Sequence, residues 1–196
     1  MSTRLRFNAA AQVFEAFPRV TSEISLRPAE DEAPIDFARR LLSRGGGFDP
    51  IVYVASVLPR REAVWWGCQC LRALRGGRTD DALLAAEAWV RKPEEAERRA
   101  ALQIGTSSDT GVSTTWLALA AGHSGGSIAP ENAPPVHAWA EATATNLKAG
   151  LILAIAQRPM AEVQAWIRAC VEAGVRFADG GDAKVAPPVF ARSGAA

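Results

Sequence analysis

The stretch PRREAVWWGCQCLRALRGG, residues 59–77, decides the fold class of this chain. Pro59 stops the preceding segment and starts a new one, because proline fits the start of a helix but not its interior. Ala, Leu and Arg dominate the following residues and lose little conformational freedom in a helix. Gly76-Gly77 supplies the small residues at which helices commonly end. The pattern therefore predicts a helix over Arg60–Leu74.

Proline, glycine and polar capping residues also mark helix ends on both sides of this helix. They predict further helices over residues 9–17, 34–44, 51–58, 80–90, 93–104, 112–121, 136–156 and 159–173. About seven to eight helices with short connections predict an all-α, single-domain antiparallel array over residues 34–175. Residues 1–33 are predicted to be a loosely ordered N-terminal extension and residues 176–196 a flexible C-terminal tail.

Composition and charge exclude several classes of function. Hydrophobic residues make up 48% of the chain and charged residues 22%, a balance typical of a globular protein with a buried core. The 22 basic and 21 acidic side chains give a formal net charge of +1, which speaks against a dedicated nucleic-acid binder. The longest apolar run, residues 149–156, is far shorter than the roughly 20 residues that cross a bilayer. With no signal-peptide pattern at the start, we predict a soluble, cytoplasmic protein that binds neither nucleic acid nor membrane.

The string GHSGG, residues 122–126, matches the nucleophile motif of α/β-hydrolases, with Ser124 as the nucleophile. That motif requires a strand before the serine and a helix after it, whereas an Ala-rich segment precedes Ser124 and a proline-rich one follows it. No Asp lies between Ser124 and His137. We therefore interpret the string as a helix C-terminus leading into a surface loop, and we predict no catalytic residue. A serine hydrolase using Ser124 with His123 or His137 stays open as the alternative.

The three cysteines offer a second candidate chemistry. Two thiols spaced as in Cys68-Gln69-Cys70 point about 200° apart on a helix, so they do not readily bind one ion together. Cys170 approaching one of them in the fold stays open, and so does a helical small-molecule or metal binder. We interpret all three as buried, reduced thiols and predict no metal and no cofactor.

Trp65-Trp66 is the most distinctive pair of residues in the chain. Neighbouring side chains on a helix point about 100° apart, so both cannot occupy the middle of one narrow stripe. Either the helix is central and buried on most sides, or one tryptophan lies at a surface groove. Arg61 precedes Trp65 by four residues, close enough to stack on it. Arginine beside exposed tryptophan is typical of interface hot spots.

Other aromatic and basic residues are expected to be structural. The remaining tryptophans fall one per predicted helix, a spacing typical of core residues; they are Trp89, Trp116, Trp139 and Trp166. The pair Arg98-Arg99 is predicted to lie on a solvated helix face, where Glu94 and Glu95 can pair with it at i,i+4 spacing.

Two strings in the chain resemble the signatures of an uncharacterised bacterial all-helical family. Residues 59–66, PRREAVWW, resemble that family's "PREAVWW" helix with one extra Arg, and residues 124–130, SGGSIAP, resemble its "SGGS-x-x-P" loop. Together the two matches bracket about residues 48 to 160. The resemblance implies an association with type VI secretion gene clusters, near genes for effectors and spike tips. It supplies no catalytic residue.

These observations lead to one predicted function, a non-enzymatic adaptor or chaperone-like accessory protein that binds a protein partner. The resemblance implies that this partner is a secretion effector or a spike component. The residues predicted to form or position the binding surface are Arg61, Trp65, Trp66, Ser124, Gly125, Gly126, Ser127 and Ile128.

Overall fold

A computed structural model describes residues 3–44 and 46–190 of the chain. Within these residues it contains ten α-helices and no β-strand. The helices are α1 (Ala10–Ala16), α2 (Pro18–Glu23), α3 (Pro34–Arg44), α4 (Asp49–Val57), α5 (Arg60–Leu74), α6 (Asp81–Arg91), α7 (Glu95–Ser107), α8 (Ser113–Gly122), α9 (Ala142–Ala156) and α10 (Met160–Ala178). The prediction of an all-α single domain is confirmed.

Helix α5 lies at the centre of the array and has the predicted bounds. It packs against α4, α6, α8, α9 and α10, so it is surrounded on most sides. Its close approach to α9 depends on Gly67. A Cβ at that position would lie 2.2 Å from Leu147 Cδ1 of α9 and 3.0 Å from Leu117 Cδ1 of α8. Glycine is therefore the residue that lets the central helix pack closely against both neighbours.

The N-terminal helices pack onto this array. Val13 of α1 is fully buried. The Phe14 ring meets Phe37 of α3 edge-on, with centroids 5.6 Å apart, and Phe37 meets Tyr53 of α4 with centroids 4.8 Å apart. The packed part of the chain thus begins before residue 34, where the helical domain was predicted to start. Helix α2 was not predicted.

At the other end, α10 extends to Ala178, past the predicted domain boundary at residue 175. Residues 181–190 have no regular secondary structure, yet Ala183 and Val185 are buried. Residues 191–196 of the predicted tail, like residues 1–2 of the predicted extension, lie outside the described residues.

The prediction of a helix beginning at Val136 is wrong, because α9 begins only at Ala142. The Ile128 N–H donates to the Val136 carbonyl at 2.7 Å, and Ser127 forms an isolated antiparallel bridge with His137. These pairings hold Val136 and His137 against the preceding loop, so the Val136 carbonyl is not available to a helical turn. Among the described helices, none combines the length and the apolar character needed to span a membrane.

Candidate functional site

The two adjacent tryptophans of α5 have different environments. Trp66 is fully buried, and its indole Nε1 donates to the Cys170 carbonyl of α10 at 2.8 Å. Gly174, one turn further along α10, makes room for the ring, since a Cβ there would lie 2.9 Å from Trp66 Nε1. Trp66 is thus a core residue with a satisfied polar atom, and it fixes the position of α5. Trp65, turned away from it on the helix, is half-buried.

Trp65 lines a shallow groove of about 280 Å³ between α5, α6 and the end of α10. The groove is lined by Arg61, Glu62, Trp65, Val90, Arg91 and Phe177. Val90 and Phe177 are each 8% exposed and form an apolar floor. The sequence left two arrangements open, a central buried helix or a tryptophan at a surface groove. The structure combines them, because α5 is central and Trp65 lies at a groove.

Arg61 is exposed at the rim of this groove, but it is not positioned by Trp65. Its Nε donates to the Val90 carbonyl at 2.8 Å, and no cation–π contact joins it to Trp65 within the described part of the chain. The predicted stacking is therefore wrong: the last turn of α6 offers a free carbonyl, which the guanidinium binds instead.

The second predicted patch, the loop Ser124–Ile128, follows the C-terminus of α8. Arg98 of α7 holds its two ends, with Nη1 donating to the Gly122 carbonyl at 2.5 Å and Nη2 to the Ser127 carbonyl at 2.7 Å. Glu95 pairs with the same guanidinium at 2.6 Å. Arg98 is only 4% exposed, so the expectation of a solvated side chain at this position is wrong. Backbone carbonyls without helical hydrogen-bond partners accept hydrogen bonds from the guanidinium and stabilise its charge in this buried position.

Two further arginines bind the outer side of the loop. Arg60, the first residue of α5, donates to the Ser124 carbonyl at 2.8 Å. Arg99 donates to the Ala129 carbonyl at 2.9 Å. The loop has little regular structure, but its carbonyls are bound by side chains from two helices. This accounts for a defined conformation in a segment rich in glycine and serine.

Within the loop, Ser127 and Gly126 determine the turn. The Ser127 hydroxyl accepts hydrogen bonds from the Ala129 and Val136 N–H groups, each at 3.1 Å. Gly126 has a φ of 58°, in the region that favours glycine. A Cβ there would also lie 2.9 Å from Arg98 Nη2, so Gly126 is required for both conformation and space.

His123 and Trp139 extend the loop surface, and sequence reasoning assigned neither to it. Asn146 Nδ2 donates to His123 Nδ1 at 2.7 Å. Burial and then the positive charge of Arg98 lower the pKa of His123 below its ordinary value. Trp139 is 45% exposed, its ring centroid 6.0 Å from that of His123, and Arg19 lies over it at 5.7 Å. The expectation that Trp139 is a core residue is wrong, since it precedes α9.

The other three tryptophans differ in burial. Trp89 and Trp166 are buried as predicted, at 6% and 5% exposure. Trp116 is only half-buried, and its indole donates to the Thr110 carbonyl at 2.8 Å. The sequence carries no local signal for the exposure of Trp139, because the prolines at 134 and 135 are as compatible with a helix start as with a loop.

The surroundings of Ser124 differ from those of a hydrolase nucleophile. It follows the helix α8 instead of a strand, and an irregular segment comes after it. The His123 ring is paired with an asparagine, and His137 Nδ1 lies 3.0 Å from the Gly126 carbonyl. Within the described residues, neither imidazole makes a hydrogen bond to the Ser124 hydroxyl.

The three cysteines are free thiols inside the core. Burial strongly raises the pKa of Cys70, as does its contact with the Cys170 thiol of α10, so the approach of Cys170 to one of the other cysteines occurs. Burial likewise raises the pKa of Cys68. Among residues 3–44 and 46–190, no group of three or more His, Cys, Asp or Glu side chains is arranged to hold a metal ion.

The start of α5 brings the two predicted patches together. Arg60 binds the loop, and its neighbour Arg61 lines the groove. Arg60 also donates to the Ala140 carbonyl at 3.2 Å, beside the exposed Trp139. We call the groove, the loop Ser124–Ile128 and the exposed residues Arg60 and Trp139 the α5 face. Seven of the eight predicted residues lie on it at least partly exposed, and Trp66 lies beneath it.

A family model described as a family of unknown function, DUF6931, matches residues 37–178. The chain belongs to this family. The match begins inside α3 and ends at the last residue of α10, so it includes every element that forms the loop and all groove-lining residues. No curated protein and no solved structure matches the chain. The expectation of an uncharacterised family is confirmed, while the link to secretion stays a prediction.

Proposed function

We propose that this member of DUF6931 is a non-enzymatic, cytoplasmic adaptor or chaperone-like protein that binds a protein partner through the α5 face. The observation that carries the proposal is the arrangement of Arg60 and Arg61. Adjacent on one helix, they connect a tryptophan-lined groove to a loop whose backbone is held by arginines. A preformed surface loses little conformational entropy on binding, which favours recognition of a partner.

The residue types of the α5 face also support partner binding. Tryptophan and arginine are enriched in the residues that contribute most to protein–protein affinity, and both occur here at partial or full exposure. Trp65 lies in a concave site, and Trp139 is exposed beside the loop. In the described part of the chain neither His123 nor His137 is hydrogen-bonded to the Ser124 hydroxyl, which supports the non-enzymatic part of the proposal. Labelling of Ser124 by a fluorophosphonate probe would contradict that part.

The resemblance of residues 59–66 and 124–130 to two family signatures supports a more specific role. Both strings contribute residues to the α5 face, the first from the start of α5 and the second from the loop Ser124–Ile128. We propose that the partner is a type VI secretion effector or spike component, which the adaptor loads before secretion.

The test is affinity co-purification from the native host, followed by mass spectrometry, with the wild type and a Trp65→Ala, Ser124→Ala double variant. We expect one reproducible partner that is lost from the double variant while its helical circular dichroism is retained. Leu84→Ala is the matched control, because Leu84 is 46% exposed on α6 and does not line the groove. A partner retained equally by all three proteins would contradict the assignment of the surface.

A further inference from the structure

The α5 face carries an excess of positive charge that the whole chain does not have. Arg60 and Arg61 are exposed and make no ion pair with a carboxylate in the described part of the chain. In the adjoining N-terminal segment Arg6 is also exposed and Arg4 is half-buried, and neither pairs with a carboxylate in the described residues. With a formal net charge of only +1 for 196 residues, four arginines without carboxylate partners on and beside this face are a local concentration.

Two of these side chains lie at the groove itself. Arg61 lines it, and the Arg4 guanidinium lies 4.3 Å from the centroid of the Phe177 ring, which belongs to its floor. Arg60 precedes Arg61 in α5. Burial, and then the positive charge of Arg60, lower the pKa of Arg6. Positive charge is therefore concentrated at the groove and at the start of α5.

The groove presents an apolar surface beside this positive charge. Its floor is formed by Trp65, Val90 and Phe177, and its volume of about 280 Å³ is enough for a large apolar side chain. Glu62 is the single acidic residue that lines it. Arg91, also at the rim, pairs at 3.1 Å with Glu87, a carboxylate that it shares with Arg72.

We infer that the α5 face binds an acidic peptide segment of the partner that inserts one aromatic or aliphatic side chain between Trp65 and Phe177. This inference rests on the proposed function, because it states the chemistry of the partner at the same surface. Carboxylates of the segment match the guanidiniums of Arg4, Arg60 and Arg61, whose hydrogen bonds go to backbone carbonyls and leave their charge without a carboxylate partner. A nucleic acid would match the charge but leave the apolar floor unfilled. A lipid bilayer requires protruding apolar residues, whereas Trp65 is recessed in a groove.

The test is selection of short random peptides on the immobilised protein, followed by anisotropy measurements with the enriched peptides. We expect enrichment of peptides that combine several Asp or Glu residues with one large apolar residue. Arg61→Glu should weaken their affinity by about tenfold, and raising the salt concentration should weaken the wild-type affinity. Arg78→Glu is the matched control, since Arg78 is exposed beyond the opposite end of α5; it should change the affinity by less than about twofold. Arg60→Glu is the second charge reversal if Arg61→Glu does not fold.

Three results would overturn the inference. The first is enrichment of neutral or basic peptides, or of none, and the second is equal binding of acidic peptides by the wild type and Arg61→Glu. The third is Arg61-dependent binding of a single-stranded oligonucleotide or of phosphatidylserine vesicles in place of peptides. Neutral peptides that require Trp65 would overturn the acidic chemistry alone, and the proposed function would stand.

Discussion

The Arg98 guanidinium and the Ser127 carbonyl, 2.7 Å apart, join helix α7 to the loop on the α5 face. The same side chain binds the Gly122 carbonyl at the end of α8, so one buried guanidinium binds both ends of the turn. Its partner Glu95 is 56% exposed and stays in contact with water. The loop conformation therefore depends on a residue that lies behind the surface it supports.

Replacing Arg98 by Gln should lower the free energy of unfolding by about 2–4 kcal/mol, because one buried and one partly buried carbonyl lose a charged donor. Urea denaturation followed by circular dichroism measures this change. The control is Arg168→Gln, which removes an ion pair to Glu172 whose two side chains are both more than half exposed. It should cost less than about 0.5 kcal/mol. Equal effects of the two substitutions would show that Arg98 does not hold the loop.

Gly125 and Gly126 are neighbours in the loop, but they should differ in how well they tolerate replacement by alanine. Gly126→Ala should destabilise the protein by about 1–3 kcal/mol, since the positive φ is strained for alanine and the Cβ meets Arg98 and Glu95. Gly125→Ala should be close to neutral, because a Cβ there has no atom within 4 Å. Thermal unfolding of the two variants distinguishes them, and similar melting temperatures would contradict the loop geometry.

Replacement of the two tryptophans of α5 should change the stability of the protein by different amounts. Trp66→Ala should cost about 3–5 kcal/mol, because it opens a cavity in the core and removes the indole hydrogen bond to the Cys170 carbonyl. Trp65→Ala removes a half-buried ring from a groove and should cost no more than about 2 kcal/mol. Chemical denaturation gives both values. A loss of stability at Trp65 as large as that at Trp66 would mean that Trp65 is also a core residue.

His123 should make stability depend on pH. Its folded pKa is lowered below the ordinary value of 6.5, by burial and then by Arg98. The unfolded chain therefore binds a proton as the pH falls through about 6.5, before the folded protein does, so the stabilisation present above that pH is progressively lost below it. We expect His123→Gln to lose less stability than the wild type between neutral and mildly acidic pH. Identical stability–pH profiles for the wild type and His123→Gln would contradict the assignment.

Much of the fold could be predicted from local signals in the sequence. Proline and glycine mark the ends of α5, and its bounds Arg60–Leu74 match because nothing distant alters them. The start of α9 could not be found in this way. It is displaced to Ala142 by the pairing of Ile128 with Val136 and by the bond from Arg60 to the Ala140 carbonyl. Such contacts join residues far apart in the chain and leave no periodic pattern.

The candidate site was only partly predictable for the same reason. Arg61 and Trp65 were found because arginine beside tryptophan is an unusual local pattern. Trp139 was missed since its exposure depends on where α9 begins, and Arg98 since a basic pair on a helix normally lies in water. Its burial requires two carbonyls supplied by another segment, Gly122 and Ser127.

Photocrosslinking in the native host tests the central claim most directly. A benzoyl-phenylalanine residue in place of Trp65 should form a covalent adduct with one partner protein, because it lies in the groove. The same residue in place of Leu84, exposed on α6, should form none. An adduct specific to position 65 would establish the α5 face as a protein-binding surface. Equal labelling at both positions, or none at position 65 in a folded variant, would contradict the proposal.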